Sequence, residues 1–196
     1  MPSAFDLIAG LGNPGAKYEH TRHNAGFWLL DRLAATAGVS FREESRFHGQ
    51  VAVMDMAGHG CRLLKPSTCM NRSGQSVAAL QQYYKIPPER VLVVHDDIDL
   101  EPGCVRLKRG GGHGGHNGLR DIIQALGSRD FHRLRIGVGH PGSRDQVVDY
   151  VLRRPPAAER EAIEDAIDCA LAQMPVILQG DLERAMRVLH GRKPQG

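Results

Sequence analysis

The sequence lacks the features that mark membrane-spanning and exported proteins. Its 196 residues contain no apolar run of 18 or more residues, so no segment is predicted to cross a bilayer. The first ten residues, MPSAFDLIAG, have neither a basic start nor a long apolar stretch, which argues against a secretory signal. We therefore expect a cytoplasmic protein.

Cysteine is scarce, and several catalytic signatures are missing. No two cysteines form a C-x-x-C pair, so we expect free thiols in a reducing compartment and no cysteine zinc site. No G-K-[ST] is present for a Walker-type phosphate loop, and no G-x-S-x-G for a serine nucleophile. If the protein is a hydrolase, direct attack by an activated water is the simplest chemistry that remains. The cysteines are Cys61, Cys69, Cys104 and Cys169.

Charge is unevenly distributed along the chain. The formal net charge is only +3, but residues 104–140 contain seven Lys or Arg and two Asp or Glu, which leaves the remainder slightly acidic. A basic segment on a slightly acidic body is typical of a face that binds a polyanion. An ordinary solvated surface would show the same charges, so composition alone does not decide between the two.

Short apolar runs alternate with helical patterns. In residues 118–127, Leu119, Ile122, Ile123 and Leu126 follow the spacing of one helix face, with Asn117 as the predicted N-cap and Gly127 as the exit. Helices are also predicted near residues 25–37, 74–84, 163–174 and 181–190. The strand-like runs cover residues 6–12, 50–57, 61–65, 90–96, 104–109 and 132–139.

This alternation predicts an α/β fold. One hairpin, with a turn at residues 57–60, lies among crossover connections, so we expect a twisted mixed β-sheet with helices on both faces. Residues 1–190 are predicted to form a single domain and residues 191–196 a flexible tail. Such folds carry their sites in loops at strand ends.

Two glycine runs match the G-x-G-x-x-G pattern of dinucleotide-binding proteins. The first, GLGNPG at residues 10–15, contains an Asn-Pro-Gly turn, and an apolar helical stripe begins only near Phe27. The second, GGGHGG at residues 110–115, precedes a helix, but the following strand ends at His140 and not at an acidic residue. We therefore predict no dinucleotide and no other cofactor.

His23 is the first candidate for catalysis. It precedes Asn24, a candidate N-cap of the first helix, and a helix N-terminus disfavours the imidazolium. A carboxylate beside the ring has the opposite effect, and Asp96 or Asp97 follows the buried-strand pattern RVLVV. A histidine under both influences can be a neutral general base. Spacing does not choose between the two aspartates, and a structural histidine is the ordinary alternative.

A metal site would compete for the same groups. His20 and His23, like His113 and His116, have H-x-x-H spacing and could supply ligands together with the aspartates. Both pairs lie in turn-rich sequence and not on a helix, so we predict that no metal is required. Asparagines in the same loops carry both a donor and an acceptor and can hold a peptide unit or a water. They are Asn13, Asn71 and Asn117.

Five segments closely resemble, in order and spacing, those of the bacterial-type peptidyl-tRNA hydrolases. They are GLGNPGAKYEHTRHNAGF, KPSTCMNRSG, HDDIDLEPG, RLKRGGGHGGHNGLRDI and FHRLRIGVGHPG. The resemblance extends from about residue 6 to the C-terminal helices. It implies a single α/β domain that cleaves, without a metal, the ester between a peptide and the 3′-terminal ribose of tRNA. It also implies a monomer with no obligate protein partner.

The resemblance also implies roles for individual residues. His23 is the general base that activates water, Asp96 supports its basic form, and Asn13 distinguishes blocked peptidyl-tRNA from free aminoacyl-tRNA. The residues that contact substrate or position water are Tyr18, Asn71 and Asn117, and Met70 is expected to line the peptide channel. Cys69 stands where the family usually has an aromatic residue, which puts side-chain preference in question.

The basic segment then acquires a role. Arg106, Lys108 and Arg135 are predicted to clamp the phosphates of the tRNA acceptor stem, although Arg135 could instead pair with an acidic neighbour. Two other functions stay open at this point. An RNA-binding module without catalysis would explain the charge, and a metal-dependent esterase would use the same histidines.

Overall fold

The computed structural model describes residues 3–56 and 58–193, in which seven strands form one sheet. Its strand order is β2-β3-β4-β1-β5-β7-β6. β1 runs parallel to β4 and β5, and β5 parallel to β7, whereas β2–β3, β3–β4 and β6–β7 are antiparallel pairs. The predicted mixed sheet is therefore confirmed. The strands are β1 (Leu7–Gly10), β2 (Arg42–Glu44), β3 (Gly49–Met56), β4 (His59–Pro66), β5 (Val91–Asp97), β6 (Val105–Arg109) and β7 (His132–Gly137).

Helices cover both faces of this sheet, as predicted. Successive residues of β1 point to opposite faces: Ile8 contributes to one core cluster, and Leu7 and Ala9 to the other. The first cluster includes side chains of α1, α5 and α6, and the second those of α2 and α3. The helices are α1 (Ala25–Ala37), α2 (Ser73–Tyr83), α3 (Asn117–Leu126), α4 (Val147–Val151), α5 (Ala157–Leu178) and α6 (Leu182–Gly191).

Two short elements were not predicted. β2 and α4 contain three and five residues, too few to display a periodic pattern. The predicted β3–β4 hairpin is present, although Ala57 of its turn lies outside the described residues. The predicted tail overlaps the last residue of α6, and its residues 194–196 are also outside the described part. Within the described residues, no helix has the length and apolarity needed to cross a membrane.

The start of α3 differs from its predicted form. The N-cap is His116 and not Asn117, which is the first helical residue. The His116 Nδ1 atom accepts hydrogen bonds from the backbone N–H groups of Gly118 (3.1 Å) and Leu119 (3.3 Å). A ring nitrogen thus performs the task that side-chain oxygens usually perform at this position. The helix ends as predicted, before Gly127, whose φ is 65°.

A close helix–sheet contact sets the position of α1. A Cβ atom added to Gly26 would lie 2.4 Å from the Val94 carbonyl oxygen and 2.6 Å from the Leu11 backbone nitrogen. Only glycine permits this approach, because the neighbouring atoms are backbone. The contact brings the 3₁₀ turn Arg22–Asn24, which leads directly into α1, to the carboxyl end of β5.

Candidate active site

The carboxyl ends of β1 and β5 bring His23 and Asp96 together. These parallel neighbours end at the same edge of the sheet, where the chain leaving β1 reaches the turn that carries His23. The His23 Nδ1 atom lies 2.9 Å from Asp96 Oδ2 and 3.1 Å from Oδ1. Asp97 points to the opposite face and pairs with Arg135 at 2.7 Å. The geometry therefore selects Asp96 as the partner of His23.

A second histidine, His116, contacts the same carboxylate. Its Nε2 lies 2.9 Å from Asp96 Oδ1. Because its Nδ1 accepts from two backbone N–H groups of α3, the ring proton must be on Nε2. His116 is thereby held as the neutral Nε2–H tautomer that donates to Asp96. From the sequence we expected this side chain only as a candidate metal ligand.

Both histidines affect the ionisation of Asp96. Burial alone would raise the pKa of this carboxyl, but His23 and His116 outweigh burial and hold the pKa well below its usual range. For His23, burial has the opposite effect and lowers the pKa. The charge of Asp96 and its hydrogen bond raise the His23 pKa by more, so the net effect is a raised pKa. Asp96 is therefore an anion that fixes the His23 Nδ1–H and leaves Nε2 as the free basic nitrogen.

His95 completes a cluster of three rings around Asp96. Its ring meets that of His116 edge to face, with centroids 5.1 Å apart, and its Nδ1 donates to the Asp96 carbonyl oxygen at 2.7 Å. Burial, followed by the neighbouring His116, lowers the pKa of His95 to about 4. The ring is therefore neutral at pH 7 and adds no charge beside the carboxylate. Among the described residues its buried Nε2 has no hydrogen-bond partner.

Hydrogen bonds fix Asn13 at the start of the loop after β1. The Asn24 side chain accepts from the Asn13 backbone N–H and donates to its carbonyl oxygen, both at 2.9 Å. Asn24 is the N-cap residue of α1, as predicted, but its side chain makes no capping hydrogen bond to the helix. The Asn13 Oδ1 atom accepts from the Met70 backbone N–H at 2.8 Å, which leaves the Nδ2 amide hydrogens free as donors.

A cavity of about 480 Å³ joins most of the predicted site residues. His23 and Asp96 lie in its wall with Asn13, Asn71 and Asn117, as do Cys69 and Met70. Lys108 and Arg135 also line it. Two predicted residues do not line the cavity. Tyr18 is half-buried in the loop after β1, and Arg106 is exposed on β6.

The basic residues of β6 and β7 share one face of the sheet. Val105 and Leu107 enter the core, so alternation directs Arg106 and Lys108 to the opposite face. In register they lie beside Arg135 and Arg133, respectively. The ion pair of Arg135 with Asp97 is the alternative that the sequence left open, and it occupies part of that guanidinium.

Sequence reasoning missed Arg133. This buried side chain donates to the carbonyl oxygens of Gly111 and Gly112, and so anchors the glycine loop that leads to α3. Burial, followed by Arg129 and Arg135, lowers its pKa to about 10. Val147, Val148 and Val151 of α4, which form an apolar part of the cavity wall, were missed as well. In the sequence, one arginine among seven basic residues and a five-residue helix carry no distinguishing signal.

The predicted metal alternative is only partly assembled. One histidine of each H-x-x-H pair meets Asp96, and the ligand atoms of His23, Asp96 and His116 lie within 4.8 Å of one another. However, His116 presents an N–H at Nε2, because α3 occupies the Nδ1 lone pair. To bind a metal through Nε2, its proton would have to move to Nδ1, against two backbone donors. As arranged, the His116 Nε2–H is a hydrogen-bond donor to the Asp96 carboxylate and presents no lone pair to a cation.

Comparisons with known proteins agree with this geometry. A sequence profile of the family described as peptidyl-tRNA hydrolase matches residues 7–196. A peptidyl-tRNA hydrolase from Halorhodospira halophila is 60% identical over 186 residues, which cover 95% of this chain and 96% of the relative. One from Alkalilimnicola ehrlichii is 57% identical over 192 residues, which cover 97% of this chain and 98% of the relative.

A solved structure shows the same fold. The crystal structure of peptidyl-tRNA hydrolase from Acinetobacter baumannii is 48% identical in sequence and superposes with a TM-score of 0.96. The superposition covers 100% of this chain and 99% of that chain.

Proposed function

The chain belongs to the peptidyl-tRNA hydrolase family, and we propose that His23 and Asp96 are the groups that carry out its reaction. The reaction is hydrolysis of the ester between a peptide and the 3′-terminal ribose of tRNA, which releases both for reuse in translation. The observation that carries the assignment is the hydrogen bond of 2.9 Å between His23 Nδ1 and Asp96, at the wall of the cavity.

His23 acts as the general base in this proposal. Asp96 accepts the Nδ1–H, so Nε2 is available to take a proton from a water that attacks the ester carbonyl. The imidazolium that forms is stabilised by the carboxylate, whose negative charge is maintained by the N–H of His116. The same proton then passes to the leaving 3′ oxygen of the ribose.

The asparagines bind the reacting groups. Asn71 and Asn117 line the cavity and are exposed, so their amide N–H groups can stabilise the oxyanion of the tetrahedral intermediate. Asn13 offers its Nδ2 donors to a peptide carbonyl, and its Oδ1 has one lone pair left for a peptide N–H. Cys69 and Met70 form an apolar wall beside them, and Tyr18 contacts substrate from the preceding loop.

The mechanism uses no metal or other cofactor. Two features support this part of the proposal: the His116 tautomer makes Nε2 a donor, and Asp96 already has two N–H partners. His23 and Asp96 of one chain already form the hydrogen-bonded pair, so the proposed mechanism requires no second subunit. The substrate is a product of translation, so we propose that the activity is cytoplasmic.

The RNA part of the substrate is assigned to the basic face. Lys108 and Arg135 line the cavity, and Arg106 lies beside Arg135 on the same face of the sheet. These side chains suit the phosphates of the acceptor stem, because phosphate contacts are independent of base sequence and the enzyme must accept many tRNAs. Arg135 would contact a phosphate while it remains near Asp97.

The decisive experiment compares turnover with binding. We expect the wild-type chain to release labelled peptide from N-acetylaminoacyl-tRNA in the presence of chelator, and to leave unblocked aminoacyl-tRNA largely intact. His23→Ala should abolish turnover and leave the Kd for tRNA unchanged, since it removes the base and no phosphate contact. Val53→Ala, at an exposed position of β3 outside the cavity, is the control.

The other possible outcomes would contradict either the proposed function or the role of His23. Binding of tRNA without turnover by the wild-type chain would leave an RNA-binding module. Loss of activity in chelator would indicate a metal-dependent esterase. Near-normal turnover by His23→Ala would remove this histidine from the mechanism.

A further inference from the structure

Arg22, the residue before His23, is buried although it carries a charge. Only 5% of its surface is exposed. Its guanidinium lies 3.8 Å from the centre of the Tyr150 ring, and Nη2 donates to Glu159 Oε2 at 3.0 Å. A buried charge is costly unless its hydrogen bonds are satisfied, so these contacts hold the side chain in one place. The mechanism described above gives Arg22 no role.

The other contacts of Arg22 are with the end of α4. Nη1 donates to the Tyr150 carbonyl oxygen at 2.9 Å and to that of Arg153 at 3.5 Å. The backbone N–H of Arg22 donates to the Arg153 carbonyl oxygen as well, at 3.2 Å. The last carbonyl groups of a helix lack partners within the helix itself, and a cation beside them is favourable. The residue that precedes His23 therefore caps α4.

α4 depends on contacts of this kind for its position. It has five residues, and so short a helix is unstable by itself. Its buried residues are Tyr150 and Val151, and the Tyr150 hydroxyl donates to the Val138 carbonyl oxygen at 2.7 Å. Val147 and Val148 line the catalytic cavity. Loosening the attachment of α4 would therefore loosen one wall of this cavity.

Stability alone does not explain a guanidinium at this position. Apolar side chains of similar volume often replace a buried ion pair without loss of stability. A guanidinium adds direction, because its planar fork holds several oxygen atoms at fixed angles, whereas a lysine has one nitrogen. Arg22 thus fixes the turn Arg22–Asn24 relative to α4, and this turn carries His23.

We propose that Arg22 is a positioning residue that couples the α4 wall of the catalytic cavity to the general base His23. Through Arg22, the turn that carries His23 and the end of α4 are held as one unit. The Arg22 side chain does not line the cavity, so it acts through these two neighbours and not on the substrate. The inference rests on the proposed role of His23.

Arg22→Lys is the first test. The variant keeps the charge but has one nitrogen, which cannot hold the two carbonyl groups and Glu159 together. We expect the single-turnover rate on N-acetylaminoacyl-tRNA, at saturating enzyme, to fall about tenfold, because small displacements of a catalytic group slow the chemical step. The Kd for deacylated tRNA should not change. An unchanged single-turnover rate would overturn the proposal even if the variant is less stable, and so would an effect confined to KM.

Two further variants separate α4 from α5. Arg32→Lys is the matched control, because it makes the same chemical change at a residue of α1 whose ion pairs are with Glu164 and Asp168 of α5. Glu159→Gln removes the charge that faces Arg22 but leaves both carbonyl contacts. Both variants should keep the wild-type single-turnover rate, because partly exposed ion pairs contribute little. A loss in either variant as large as in Arg22→Lys would overturn the assignment to α4.

Hydrogen exchange tests the coupling in the wild-type chain and needs no variant. The amides of Leu152 and Arg153 report on the end of α4 and that of Asn24 on the catalytic turn, because each donates to a carbonyl group of its own turn. We expect the three amides to share one opening free energy and one urea dependence, as a single cooperative unit does. Separate opening of Leu152 and Arg153, with Asn24 still protected, would overturn the proposal. Turnover by His23→Ala would contradict the proposed function, whereas this exchange result is independent of activity.

Discussion

The basicity of His23 depends on the balance between burial and one carboxylate. Burial lowers the pKa of the ring, and Asp96 more than restores it. In the proposed mechanism the neutral ring is the base, so we expect activity to rise with pH through the His23 pKa and then level off. The Nε2–H of His116 and the neutral ring of His95 leave the Asp96 charge fully available to His23.

Asp96→Asn should therefore change the pH profile in a defined direction. The variant removes the negative charge that raises the His23 pKa but leaves the ring buried, so the inflection in kcat/KM should move to lower pH. The plateau should fall by about 10²–10⁴-fold, because the imidazolium formed during reaction loses its counter-charge. A profile of kcat/KM from pH 4.5 to 9 checks both effects. An inflection at the wild-type pH, or at a higher one, would contradict this account.

Asn13 offers a second test at the scale of single residues. Asn13→Asp keeps the oxygen that accepts from the Met70 N–H but replaces the Nδ2 donors by a negatively charged oxygen. The carboxylate would repel a peptide carbonyl and attract a free α-ammonium group. The ratio of kcat/KM for N-acetylated over unblocked aminoacyl-tRNA should therefore fall by about tenfold or more, and the loop should remain folded. An unchanged ratio would show that Asn13 does not read the blocked amino group.

At the scale of elements, the site depends on how closely α1 and α3 approach the sheet. His23 belongs to the turn that leads into α1, and His116 caps α3, so two helices on opposite faces converge on one carboxylate. The approach of α1 is possible only because Gly26 has no side chain. The spacing of His23 and Asp96 is thus set by backbone packing as well as by the side chains.

Gly26→Ala should disturb both stability and activity. Its Cβ would meet backbone atoms at 2.4–2.7 Å, so α1 must move away from β5 at a cost of about 1–3 kcal/mol. The same displacement separates His23 from Asp96 and lowers kcat. Urea unfolding and steady-state kinetics measure the two effects. Gly60→Ala is the control, since no atom lies within 4 Å of its added Cβ. Equal stability of the two variants would refute the packing argument.

At the scale of the whole molecule, the strand order places the basic residues next to the His23–Asp96 pair. Basic side chains lie on β6 and β7, and β7 is the neighbour of β5, which carries Asp96. The overall charge of +3 is too small to account for binding of a polyanion, so the local concentration of basic groups must supply the attraction.

Salt dependence tests this arrangement. KM for full-length substrate should rise steeply with salt, because each phosphate that the protein neutralises releases counterions into solution. Lys108→Gln should reduce the slope of log KM against log salt by about one contact. Arg46→Gln changes the net charge equally but lies outside the basic segment, so its slope should match that of wild type. A KM independent of salt would argue against the phosphate clamp.

The sequence by itself determined the class of fold and the longer elements, and its motifs identified His23 and Asn13 as candidate site residues. Those features are local: periodic apolar residues, turn signals and short motifs depend on neighbours along the chain. The tertiary structure decided the features that depend on contacts between distant segments. One is the contact of His23 with Asp96 and not with Asp97, a choice that the spacing of the residues had left open. The others are the capping of α3 by His116 and not by Asn117, and the pairing of Asn24 with the Asn13 backbone. The sequence cannot show them because a ring nitrogen or an amide acquires its role only when folding brings its partner within hydrogen-bond distance.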